Sequence, residues 1–432
     1  MTSFFNSFHK GGILVTDTAF SSSVDAIWRS ESARIIASLT RIMRDVGLAE
    51  DLAQDTLLIA LERWPLSGIP DNPGAWLMTT AKRRAIDLIR RNKLRDRKYE
   101  ELGYELNTLD KPDFDDALDD HIGDDLLRLI FITCHPILSA DARVTLTLRL
   151  LGGLTTEEIA KAYLISESTV AQRITRAKRT LSEARVPFEV PPKAELTSRL
   201  SSVLEVIYLM FNEGYSASKG DVWLRPQLCE EALRIGRTLA GIVPDEPEVH
   251  GLVALMEIQA SRFKARVDST GEPILLMDQN RALWDELLIS RGLAALNRAE
   301  RLGVDLGPYS LQAAITACHA QARTASETDW VRISALYEAL SQIMPTPIVE
   351  LNRAVALSMA YGPEIGLEIV DTLLSEPSLK NYHLLPSVRG DFLMKLGRFD
   401  EAYLEFQRAA ALAGNVREQE LLLKRAEECA KR

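Results

Sequence analysis

Cysteine is scarce in this chain. There are four in 432 residues, at Cys134, Cys229, Cys318 and Cys429, and no two form a CxxC pair. That spacing excludes a disulfide framework and the common zinc patterns, and it fits thiols kept reduced in a cytoplasm. Histidine is as sparse, six residues with no HExxH, so neither a metal nor a cofactor is expected. No apolar run reaches the roughly 18 residues that a membrane-spanning helix needs, which excludes a membrane partner of that kind. Beta-branched runs of period two are missing, and an all-α chain is the remaining reading. The chain also lacks an overall positive balance. Its formal charge is -10, so contact with nucleic acid must come from local basic patches. The first residues, MTSFFNSFHKGGILVTDTAF, hold one lysine and a short broken apolar stretch, a poor signal peptide. Residues 1–23 read as a flexible leader.

What is present supports real cores. Hydrophobic residues make up 46% of the chain, and this length corresponds to about two to four domains. The most informative stretch is LTTEEIAKAYLISESTVAQRITRAKRTL, residues 154–181. Thr155 and Glu158 have capping-box spacing at the start of one helix. Ser166 is a good N-cap for a second. In that second helix Val170, Ile174, Ala177 and Leu181 fall on one side, within a sector of about 60°. Ser168, Thr169, Gln172, Arg176 and Arg179 fall opposite, with Arg173 on the flank. Hydroxyls, an amide and guanidiniums on one face suit base edges and phosphates in a major groove. An amphipathic hairpin with a solvated basic face has the same pattern, so the rest of the chain decides.

Upstream, AEDLAQDTLLIALERW (49–64) predicts a strong helix, with Glu50, Asp51, Asp55 and Glu62 supplying an acidic surface. Residues 65–74 hold three prolines and two glycines and read as a loop. AWLMTTAKRRAIDLIRRNKLRDRK (75–98) is a helix that turns basic; between Lys82 and Lys98 nine Lys/Arg face only Asp87 and Asp96. The sign then reverses. Residues 100–125 carry eleven carboxylates and one lysine, Lys111, and read as an acidic linker, either a solvated spacer or a mimic of nucleic acid in a basic channel. Prolines at 187, 191 and 192 mark a domain boundary. From residue 195 onward helix follows helix. RGDFLMKLGRFDEAYLEFQRAAAL (389–412) has the small and aromatic residues of a tetratricopeptide hairpin, and 351–374 looks like a weaker copy.

These motifs, in this order, resemble the extracytoplasmic-function group of bacterial sigma-70 factors. AEDLAQDTLLIALERW resembles the region that grips the polymerase clamp helices, AWLMTTAKRRAIDLIRR the region that recognises and opens the −10 element, and the 154–181 hairpin the −35 reader. IYLMFNEGYSAS, MDQNRALWD, GPYSLQAAITACHA and LNRAVAL resemble the members that carry a long tetratricopeptide-like extension. The resemblance implies no enzyme activity. It implies sigma region 2 at 24–98, the acidic linker at 99–124, region 4 at 125–186 and a helical regulatory extension at 195–432. The partners it implies are the RNA polymerase core, through the beta-prime clamp helices and the beta flap, promoter DNA, and a protein partner of the extension.

Carried onto this chain, the implied polymerase contacts are Glu50, Asp51, Asp55 and Thr56. The −10 contacts are Lys82, Arg83, Arg84, Arg90 and Arg91, with Asp87 orienting the arginines or accepting from a base. At −35, Gln172 and Arg176 are the base readers, and Arg173, Lys178 and Arg179 reach phosphate. Trp76 is read as core rather than as a base-stacking platform, and Cys134-His135 as structural. The polar clusters around Asn212, Glu213 and Tyr215, and around Asp278 and Arg281, are either buried networks or a regulatory surface. The alternative to a sigma factor is a stand-alone helix-turn-helix regulator with a sensory helical domain. An enzyme in the second half is disfavoured, because no nucleophile–base or metal constellation is visible.

Overall fold

Apolar residues recur every three or four positions through most of the chain, and the backbone answers with helices. The computed structural model describes residues 16–100, 122–163, 165–216, 224–269, 271–303 and 305–432. Among these there is no strand, only an isolated bridge between Val267 and Pro273. The all-α expectation holds. Most of the acidic linker lies outside the described residues, as do the first fifteen residues of the leader.

The helices are α1 Thr16–Met43, α2 Val46–Ser67, α3 Pro73–Glu100, α4 Ile122–Thr133, α5 Ala140–Leu150, α6 Thr156–Tyr163, α7 Glu167–Glu183 and α8 Lys193–Tyr215. They continue as α9 Pro226–Ile242, α10 Pro247–Ala260, α11 Glu286–Leu302, α12 Pro308–Gln321, α13 Trp330–Ile343, α14 Pro347–Tyr361 and α15 Pro363–Leu373. The last three are α16 Leu384–Lys395, α17 Phe399–Leu412 and α18 Val416–Ala430. Six of them begin on proline. There the missing N–H costs no hydrogen bond, and the ring fixes φ near its helical value.

Two boundaries differ from the sequence reading. α1 begins at Thr16, so residues 16–23 belong to a helix and not to a loose leader. α2 runs through Pro65 to Ser67 before Gly68 ends it at φ +80°, a conformation that favours glycine. The loop before α3 therefore shrinks to 68–72, and Asn72 caps α3 by accepting from the Ala75 N–H at 3.0 Å.

The chain forms two units. One comprises Met1–Ala160 and Ser166–Val203, the other Lys161–Ile165 and Leu204–Arg432. The passage from one to the other falls inside α8 and not at the prolines before it. The early turns of α8 serve the first unit: Arg199 donates to the Phe131 carbonyl at 3.2 Å and Ser202 to the Cys134 carbonyl at 3.1 Å.

In the first unit Ile35, Ile36, Leu39, Leu77 and Trp64 close a core among α1, α2 and α3. Trp76 packs its ring edge-on to Trp64 at 5.4 Å, the core role expected of it. In the second unit α10 is apolar nearly all round and is buried from Val249 to Ile258, with α9, α11 and α12 around it. The repeat signal near the C-terminus becomes two helical hairpins, α14–α15 and α16–α17, closed by α18. Their shared core includes Leu351, Ala354, Phe392, Leu393, Phe406 and Ala409. Gly390 lies under the Phe406 ring, and a Cβ there would sit 3.1 Å from it. That close approach is what the small residue is for.

Phe406→Ala should destabilise the α14–α18 region by about 3–5 kcal/mol through the cavity it leaves. Leu404→Ala, at a side chain 63% exposed, should change it by no more than about 0.5 kcal/mol. Hydrogen exchange read on peptides from 384–430 of the full chain separates the two. Equal loss of protection would contradict the packing.

Candidate nucleic-acid interface

The hairpin α6–α7 is built from its caps. The Thr155 hydroxyl accepts from the Glu158 N–H at 3.1 Å, and the Glu158 carboxylate accepts from the Thr155 N–H at 2.8 Å. This is the expected reciprocal box. Ser166 caps α7 by accepting from the Thr169 N–H at 3.1 Å. Its hydroxyl also meets those of Ser168 at 2.8 Å and Thr169 at 2.7 Å, so these two sit within the capping network. Val170, Ile174, Ala177 and Leu181 are all buried, and α7 packs on α5. The periodicity had placed that face correctly.

The outward face carries Ser168, Gln172, Arg176 and Arg179, all exposed, with Thr169 half-buried. Arg179 lies 3.6 Å from Glu183, both largely solvated. Arg173, on the flank, is tied to Asp141 at 2.9 Å. Lys178 does not stand with the phosphate-facing cations; it turns toward α2 and pairs with Glu50.

On α3, Leu77, Ala81 and Ala85 are buried while Arg83, Asp87, Arg90 and Arg91 are exposed and Lys82 is half-buried. Arg84 is engaged otherwise than expected: it donates to Asp55 of α2 at 2.6 Å. One candidate DNA contact is thus paired with one candidate polymerase contact.

α2 corrects the sequence reading most. Asp51 is exposed and Asp55 half-exposed, but Thr56 is buried and donates to the Leu52 carbonyl at 2.8 Å. Glu50 is not part of an acidic surface. It is 3% exposed, with Arg149 of α5 at 2.6 Å, Lys178 of α7 in contact, and the Gln54 amide donating at 2.6 Å. Burial alone would raise its pKa, but the charges of Arg149 and Lys178 outweigh that and hold it below the ordinary carboxylate value. Two further pairs tie α1 into this unit: Arg29 with Glu158 of α6, and Arg41 with the buried Asp125 of α4 at 2.9 Å, which Arg128 also contacts at 3.0 Å. Cys134 is buried beside Thr147, its sulfur 3.5 Å from that hydroxyl. Burial pushes its thiol pKa up, which suits a structural residue and not a nucleophile.

Residues 27–95 match the family described as sigma-70 region 2, and residues 128–181 match sigma-70, region 4. The two stretches carry α2, α3 and α7. The chain belongs to the extracytoplasmic-function group of sigma-70 factors, in a form with a C-terminal extension.

Residues 199–300 of this sigma factor also match a family of unknown function, DUF6596. It is 41% identical over 406 residues, 94% of each chain, to an uncharacterized protein of Rhizobium meliloti (strain 1021). It is 28% identical over 169 residues to the probable ECF RNA polymerase sigma factor SigI of Mycobacterium tuberculosis (strain ATCC 25618 / H37Rv), covering 39% of this chain and 58% of that one. It is also 28% identical over 157 residues to the ECF RNA polymerase sigma factor SigK of Mycobacterium sp. (strain KMS), covering 34% and 76%. Sigma factors of this family are initiation factors without catalysis. No helix among the described residues is long and apolar enough to cross a membrane.

The regulatory candidates in the extension separate. Asp278 is exposed and Asn212 half-buried. Glu213 pairs with Arg225 at 2.5 Å. Arg281 caps the C-terminal end of α12, donating to the carbonyls of His319 and Ala322 and to the Thr328 hydroxyl at 3.2 Å. Tyr215 stacks on Phe211, and the Arg266 guanidinium lies 3.5 Å over its ring. The residues that sequence reasoning missed are Arg149, Arg262 and Arg266, which carry no motif.

Glu50→Gln leaves Arg149 and Lys178 without their shared anion and should cost the first unit about 3–5 kcal/mol at neutral pH. Because the folded carboxyl is held low, its contribution is complete above the unfolded value of about 4.3 and is lost as pH falls through the lower folded value. The gap between wild type and variant in urea unfolding should therefore close as pH drops below about 4.3. A gap that widens in acid would refute the pairing.

Proposed function

We propose that this sigma factor binds the RNA polymerase core and directs promoter-specific initiation from the cytoplasm. α2 offers Asp51 and Asp55 to the beta-prime clamp helices, and the α5–α7 region meets the beta flap. α3 recognises and opens the −10 element with Lys82, Arg83, Arg84, Arg90 and Arg91 on phosphate and Asp87 orienting them. α7 reads the −35 element through Gln172 and Arg176, with Arg173 and Arg179 on the backbone. The extension modulates these steps through a partner of its own. The observation that carries this reading is the two-faced α7, anchored by four buried apolar residues and presenting Gln172 and Arg176 to solvent. Support comes also from the order of the region 2 and region 4 matches.

The pairs Arg84–Asp55 and Arg173–Asp141 bear on how the surface works. Half-exposed pairs of this kind contribute about 0–1 kcal/mol, so phosphate or a polymerase side chain can take over either partner at small cost. Glu50, by contrast, is committed to the interior, and Asp51 and Asp55 remain for the polymerase.

In vitro transcription with core polymerase and a randomised −35 element tests the reading. Arg176→Ala should flatten preference at one or two positions, by about 1–3 kcal/mol of discrimination. Arg179→Ala should weaken all promoters alike and reduce the salt dependence. Asp55→Arg should weaken co-purification with core polymerase. Promoter binding that persists with no association to core would favour the stand-alone regulator.

A further inference from the structure

The second unit contains a cavity of about 290 Å³ between the turn that follows α10, the loop 273–279, α16 and α18. Its volume falls just below the usual range for ligand sites, about 300–1,000 Å³, which suits a small ligand. Part of its wall is apolar, from Ile274, Leu276, Leu384 and Leu422. The wall is held in place: the Ile274 N–H donates to the Arg266 carbonyl at 2.8 Å, and the Asp268 N–H to the Glu272 carbonyl at 3.0 Å.

Three guanidiniums line the same space, those of Arg262, Arg266 and Arg425. Arg425 is accounted for by Asp391 at 2.5 Å and the Phe406 ring at 4.4 Å. Arg266 lies over Tyr215. Arg262 is different. It is 8% exposed and makes no ion pair among the described residues, and its Nε, like that of Arg266, is sealed from solvent without a hydrogen-bond partner. Among the described residues its guanidinium faces the rings of Tyr215 and Trp284, each at 5.7 Å.

The cations around it are like charges. Burial, then the Arg262 charge, lowers the pKa of Arg281. His319 is lowered to about 4 by burial, Arg262 and Arg281 together. The carboxylate on the cavity wall, Glu418, faces His383 at 3.1 Å. A buried cation without a counter-ion is costly, and an anion entering the cavity would remove that cost. A second polar atom also lacks a partner. The Gln279 Nε2 donates to the Ile274 carbonyl at 3.2 Å, which leaves its buried Oε1 as an unused acceptor.

We propose that this cavity binds a small organic anion, a carboxylate on a short apolar body, with Arg262 and Arg266 receiving the head group. A planar carboxylate matches the guanidinium fork. The apolar wall takes the body, and Gln279 accepts from a hydroxyl on it. The site lies wholly in the extension, in the unit formed by Leu204–Arg432, and its occupancy does not depend on the promoter reading.

Calorimetric titration of the full chain tests it with mandelate, phenylacetate, mandelamide and phenyl phosphate. Both carboxylates should bind saturably, mandelate more tightly, and neutral mandelamide at least about tenfold more weakly. Arg262→Gln should weaken mandelate by about tenfold or more. Ser387→Trp, which fills the cavity and leaves all three guanidiniums in place, should abolish binding while thermal melting still reports a folded chain. No saturable binding of either carboxylate up to about 10 mM overturns the proposal. So does equal binding of acid and amide, or unchanged binding in both variants. Binding of phenyl phosphate alone overturns the carboxylate assignment.

Discussion

The first unit depends on one buried carboxylate. Glu50 sits where α2, α5 and α7 converge, itself buried, and removing its charge would leave the half-buried cations Arg149 and Lys178 without their shared anion. A buried ion of this kind tolerates few geometries. Its partners must be present and oriented, or the desolvation cost is unmet. The consequence is positional. The helix that offers Asp51 and Asp55 is fixed to the helix that offers Gln172 and Arg176, and the pairs Arg29–Glu158 and Arg41–Asp125 reinforce the arrangement. The region 2 and region 4 modules are therefore held here as one packed unit.

The second unit is organised differently. Its stability comes from helices stacked through small residues and aromatic rings, as at Gly390 beneath Phe406. Against that apolar background it carries several largely buried arginines. Arg281 donates to carbonyls and Arg425 pairs with Asp391. Among the described residues, Arg262 meets aromatic faces alone. In such a setting a buried guanidinium with no ion pair among the described residues is where the proposed anion would act.

Local chemistry was legible in the chain, and distant chemistry was not. The Thr155–Glu158 box and the Ser166 cap were readable because donor and acceptor lie three residues apart and the helix geometry does the rest. The inward face of α7 was readable because its period is that of the helix itself. Trp76 and Cys134 were assigned to packing, and both pack. The loop at 65–74 was read too long, because proline in the last turn of a helix need not end it; Gly68 does.

Glu50 shows why the remainder was hidden. In sequence it is one acid among four on a helix, and nothing in its neighbourhood distinguishes it from Asp51. Its partner Arg149 lies 99 residues away, and Lys178 stands among basic residues that resemble phosphate contacts. Periodicity and capping determined the all-α class, the helix hairpin and the basic helix from sequence alone, since each is written in residues a few positions apart, while the sigma family was legible as a resemblance carried by the order of its motifs. Which charges face solvent, which are consumed in the interior, and where a cation is left unanswered were decided by tertiary packing. Those outcomes depend on the low dielectric and on partners that only folding brings together.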